Sequence, residues 1–147
     1  MAETLGSLCD KLTILKLKQF HTEDKERQAS LVIQENDLKC EIDDFLADAV
    51  HGIIPLNKLT FKANKIFKQE GNETSLIQGE IGEVFSELAD INCRLWHKQE
   101  LVYDFSSVLP TEKDDVMHQL AILNLERNKC IDEIDKCLSS KIIERKS

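Results

Sequence analysis

The sequence predicts an all-α protein: an antiparallel four-helix bundle of two related helical hairpins, with one short helix bridging them. Three observations carry this. Apolar residues recur in alternating steps of three and four, the spacing of a helix face that packs along its length. Only two Pro and five Gly punctuate 147 residues, and aromatics are few, which leaves little material for a turn-rich β fold. The periodic stretches are separated by residues that start and stop helices. The chain is long enough for one domain with its own core, and residues 1–147 read as a single helical domain.

The elements follow in order. Thr4 or Ser7 can cap a first helix that runs to about Glu23, with Leu5, Leu8, Leu12 and Leu15 as its seam. Residues 23–29 either continue that helix or form a polar connection. Ser30 is a cap for a second helix, which turns Leu31, Leu38, Ile42, Phe45, Leu46 and Ala49 inward. His51-Gly52 stops it, because Gly takes the left-handed conformation without a Cβ clash. Pro55 opens the short third helix, 56–67, whose charges are all lysine. After the break at 69–73 comes the longest predicted helix, 74–105. Its seam is Ile77, Ile81, Val84, Leu88, Ile91, Leu95, Val102 and Phe105, and Gly79 and Gly82 inside it invite close approach of another helix. Residues 106–110 end it. Thr111 caps the last helix, which carries Val116, Leu120, Leu123, Ile131, Ile134 and Leu138.

The net charge of −8 is spread along the chain without a basic stripe. This argues against nucleic acid or an anionic membrane as partner. No apolar run reaches the length of a membrane span and no secretory-leader pattern is read at the start, so neither membrane insertion nor a leader is expected. Five cysteines, odd in number and without a Cys-x-x-Cys pair, read as free and mostly buried thiols in a reducing cytoplasm. Apolar helix faces without a strong catalytic motif point to a protein partner or to self-association.

The chain carries a faint internal repeat. A shift of 76 residues lays Leu5, Leu8, Leu12 and Leu15 on Ile81, Val84, Leu88 and Ile91. It also lays Phe20-His21 on Trp96-His97 and Asp24 on Glu100. Two pairs of ligand-grade residues result, His21/Asp24 and His97/Glu100. On a helix, residues three apart face one side, so each pair can share a divalent metal, and two facing pairs would make a dinuclear site. The alternative is a surface ion pair on each helix, with Trp96 as packing. A second cluster is Asn124, Arg127 and Asn128. Arg127 lies on the seam of the last helix, so it needs a carboxylate, with Asp10, Glu41, Asp43 and Asp44 as candidates and Asn92 as a further member. That cluster reads as a register-fixing polar network or as an anion or sugar-phosphate site. A third pattern, Glu80-x-x-Glu83 with Glu112-x-x-Asp115, has the form of a paired magnesium motif, although acids after Pro110 and Thr111 are also what a helix start attracts.

The segments 4–24, 91–100 and 123–135 together resemble a bacterial helical domain of unknown function found beside, or fused to, glycosyltransferases. The likeness rests on Gly6, Leu8, Asp10, Lys11 and Leu12; on Leu95, Trp96, His97 and Glu100; and on Leu123, Asn124, Arg127 and Asn128. Gln99 stands where the family has an acid, and Phe20 where the first copy would have Trp. The resemblance implies an all-helical fold and an envelope-glycan context, and brings no established activity. The functional expectation is therefore a non-catalytic binding or accessory module. The alternatives are a metal-dependent enzyme built on the two His-x-x-acid pairs, and an all-α hydrolase similar to nucleotide pyrophosphohydrolases. The sequence names no cofactor.

Overall fold

The computed structural model of the protein describes residues 3–60 and 77–146. Four helices make up this part: α1 (Leu5–His21), α2 (Lys25–Val50), α3 (Ile81–Tyr103) and α4 (Lys113–Lys146), with single 3-10 turns at Leu56–Lys58 and Phe105–Ser107. The described residues contain no strand, and the fold is an all-α bundle.

Local chemistry sets the boundaries. Thr4 caps α1, its hydroxyl accepting from the Ser7 amide at 3.3 Å while the Thr4 amide donates to the Ser7 hydroxyl at 2.9 Å. This reciprocal pair satisfies two amides that lack intrahelical partners. The first helix stops at His21, short of the expected Glu23, and α2 begins well before Ser30. Asp24 is the reason: its carboxylate accepts from the amides of Glu26 (2.9 Å) and Arg27 (3.5 Å), so it caps a helix of 26 residues. Gly52 sits at φ 78° just past the end of α2, as the stop signal requires.

The expected helix over 74–105 is shorter than the seam suggested. Residues 77–80 are not helical and α3 starts at Ile81, while 74–76 lie outside the described residues. Gly79 is the cause, at φ 133°, a conformation only glycine adopts without strain. Gly82, in the first turn of α3, faces open space, so it does not mediate a helix contact. Of the expected helix over 56–67, the described part is the 3-10 turn opened by Pro55; residues 61–67 lie outside.

The helices run as two antiparallel hairpins, α1–α2 and α3–α4. The hairpins join through α1, which packs against α2, α3 and α4, while α3 packs along α4. The order of contacts shows the directions. Gly6 meets Asp135 and Asp10 meets Arg127, so α1 is antiparallel to α4. Asp10 meets Asn92 and His21 meets Trp96, so α1 is parallel to α3. A single buried cluster draws on all four helices, including Leu5, Ala49, Leu88, Ile91, Leu123 and Ile134. By contrast, α2 packs chiefly on α1, and only Leu31 and Ala49 of its 26 residues are buried. Its polar staple to α1 is Glu35, which accepts from Lys16 at 2.7 Å and Gln19 at 3.2 Å. Those two bonds hold its carboxyl down to about 2.

Candidate functional site

The polar residues that matter most meet where α1, α3 and α4 touch. Arg127 points from α4 into this junction and is held by Asp10 of α1 in a two-pronged pair, Nε to Oδ1 at 2.8 Å and Nη2 to Oδ2 at 2.5 Å. Planar guanidinium and carboxylate match in this geometry, which fixes orientation as well as distance. Asn92 of α3 completes the knot by donating to Asp10 Oδ1 at 3.0 Å and to the Thr13 hydroxyl at 2.7 Å. Asp10 and Asn92 are each 3% exposed, so every bond here replaces water that has been excluded. Of the four carboxylates proposed for Arg127, Asp10 is the partner. Glu41, Asp43 and Asp44 lie exposed on α2.

Above the knot lies an open groove of about 320 Å³, lined by Ile14 and Leu17 of α1, by Asn92, Leu95, Trp96 and Gln99 of α3, and by Asn124 and Arg127 of α4. His21 stacks on Trp96, ring centroids 4.7 Å apart and planes within 11°, and Phe20 meets His21 edge-on at 5.2 Å. Thus Trp96, Asn124 and Arg127 share one groove, with His21 against its aromatic wall. Asn124 and Asn128 turn their amides onto their own helix, to the Leu120 and Asn124 carbonyls at 3.1 and 2.8 Å.

The two His-x-x-acid pairs do not face each other. Asp24 is off the helix that carries His21 and spends its carboxylate capping α2. His97 follows Trp96 in sequence and therefore points about 100° away from it around α3. There it lines a different groove with Arg94, Lys98, Asp115, His118 and Glu126, between α3 and α4. Glu100 is exposed. Among the described residues, no group of three or more His, Cys, Asp or Glu is placed to hold a metal ion. The acidic pairs Glu80/Glu83 and Glu112/Asp115 are also apart. Glu80 faces Lys141 near the end of α4, whereas Glu112 and Asp115 lie at its beginning, about the 34 Å length of α3 away.

Sequence reasoning missed a second buried acid. Asp135 of α4 is 1% exposed. Its Oδ1 accepts from the Gly6 amide at 2.7 Å, in the first turn of α1, and its Oδ2 has no hydrogen-bond partner. Burial pushes its carboxyl up to about 6, against the pull of the Gly6 amide and the Thr4 hydroxyl. Gly6 allows this approach, because a Cβ there would collide with the Ile131 carbonyl oxygen. The signal was present in the Gly6 position, one turn before Asp10, but a lone glycine in a helix does not name what it approaches. All five cysteines are free, yet only Cys9 and Cys130 are buried, while Cys40 and Cys93 are exposed. Burial, then the neighbouring Asp135 and Asp10, pushes the Cys9 thiol up to about 12, which leaves it inert.

No family model, curated protein or solved structure matches this chain.

Proposed function

We propose that this chain is a non-catalytic helical module that holds a partner protein on the outer face of α2, in the envelope-glycan setting its resemblance implies. The observation that carries the reading is the second seam of α2. Ala29, Ile33, Asn36, Cys40, Asp43, Ala47 and Val50 recur in steps of four and three, all exposed. Val32 lies beside them, 49% exposed, and Ile33 is 64% exposed. Five of these seven are apolar or thiol side chains, and among the described residues nothing packs on them, so the helix has a second face fit for packing. No helix of the described residues is long and apolar enough to cross a membrane.

Charge selects the occupant. From Glu41 to Asp48 the helix carries four acids and no base. A second copy of α2 packed in parallel would bring these acids against their like, whereas a basic amphipathic helix finds them complementary in either direction. The test uses a synthetic twenty-residue helix of leucine and lysine and its leucine–glutamate counterpart. The basic peptide binds, and the double substitution Val32→Glu, Ile33→Glu weakens it at least about tenfold, a loss typical of central apolar contacts. A dimer in light scattering, abolished by the same substitution, would assign the face to a second copy instead. A monomer that binds neither peptide overturns the reading. Stoichiometric metal in the purified protein, lost in His97→Ala, would favour an enzyme.

A further inference from the structure

We infer that the groove above the Asp10–Arg127 knot is a binding site for an uncharged, polyhydroxylated ring of about hexose size. Three observations point there. The first is electrical. Among the described residues, Arg127 is the one charged member of the groove wall, and its charge is already matched by Asp10 through two bonds. A phosphate or carboxylate would bring an uncompensated charge into a neutral site of an acidic protein, and neither the pair nor the field rewards it.

The second is the inventory of polar groups. Arg127 keeps Nη1, which takes no part in the bonds to Asp10. Gln99 offers an exposed amide, and Asn124 donates to its own helix, which leaves its carbonyl oxygen as an acceptor. Neutral donors and acceptors side by side suit hydroxyl groups, each of which both donates and accepts. The third is shape. Leu17 and Trp96 give the groove apolar surface beside these polar groups, and a pyranose carries the same mixture of C–H faces and hydroxyl rim. A volume of about 320 Å³ is at the small end of ligand pockets, which suits one ring. Because His21 covers Trp96, the indole is held in place before a ligand arrives.

The site is separate from the outer face of α2, so failure of peptide binding there leaves this inference standing. The test is a titration followed by nuclear magnetic resonance, reading the Trp96 indole N–H, the side-chain amides of Gln99 and Asn124, and Arg127 Nε. The probes are methyl β-glucopyranoside, a linear trisaccharide of glucose, and inorganic phosphate. The expected result is saturable movement of these signals with a glucoside at about millimolar affinity. The monosaccharide suffices if the ligand is free, and the trisaccharide binds more tightly if it is a chain end. Gln99→Ala, on an exposed position that the fold does not use, lowers affinity about fivefold, the worth of one hydrogen bond. Asn124→Ala does the same. Movement with phosphate alone, or no movement of groove signals up to about 50 mM sugar, overturns the inference.

Discussion

At the scale of single residues, two buried acids with opposite circumstances govern the α1 interface. Asp10 has its charge matched by Arg127 and its oxygens shared with Asn92. Removing one partner of such a pair strands the other, so Asp10→Ala should lower stability by about 3 kcal/mol in urea unfolding. Asp135 has the Gly6 amide on one oxygen and no hydrogen bond on the other, with only the Thr4 hydroxyl besides to ease its burial. Its carboxyl lies above the ordinary 3.8, at about 6, so the folded chain holds this proton more tightly than the unfolded one. The stabilisation is full below about pH 4 and fades as pH rises through 6. Asp135→Asn should therefore be more stable than the parent at pH 7.5, with an advantage that shrinks towards pH 4.5; an advantage independent of pH would contradict this. Asp10 was legible because Arg127 on a helix seam demands a carboxylate. Asp135 was not, since nothing in a sequence tells a buried acid from a solvated one when its partner is a backbone amide 129 residues away.

At the scale of elements, the seams were readable, and so were the Thr4 cap and the Gly52 stop, but the end of α1 and the start of α3 were not. Val84, Leu88, Ile91 and Leu95 of α3 and Val116, Leu120, Leu123, Ile131, Ile134 and Leu138 of α4 are all buried, because a 3.6-residue period leaves an apolar face nowhere else to go. The ends depended on one residue each: Asp24 competes with the continuation of α1 by offering its carboxylate to two amides, and Gly79 takes a left-handed conformation where the seam reads on without a break. Displacing Asp24 to the cap also removed it from the face of His21, so one wrong boundary dissolved one proposed metal pair. Close packing of α1 on α4 at Gly6 has its own test. Gly6→Ala forces a methyl group onto the Ile131 carbonyl and should cost about 2 kcal/mol, despite the better helix propensity of alanine.

At the scale of the whole molecule, the bundle is uneven. Three helices share the polar knot, and the fourth leans mainly on α1. The inward face of α2 was correctly identified in the sequence, but most of it is half-buried, since seam spacing shows which side packs and not how many neighbours it meets. Replacing Val32 and Ile33 by Glu should thus shift stability by less than about 0.5 kcal/mol, as for other exposed positions, while it weakens the binding proposed for that face at least about tenfold. Thiol labelling gives a further check on this architecture. Cys40 and Cys93 should react rapidly, and Cys9 and Cys130 only on unfolding.

The stack of His21 on Trp96 has one more consequence. Trp96 is the single tryptophan of the chain, and its ring is covered by a residue from the other hairpin. Its emission is therefore an internal gauge of whether the two hairpins are joined. If they part before either melts, fluorescence will move to longer wavelength ahead of the loss of helical circular dichroism. Coincidence of the two curves will show that the hairpins come apart and unwind as one cooperative unit.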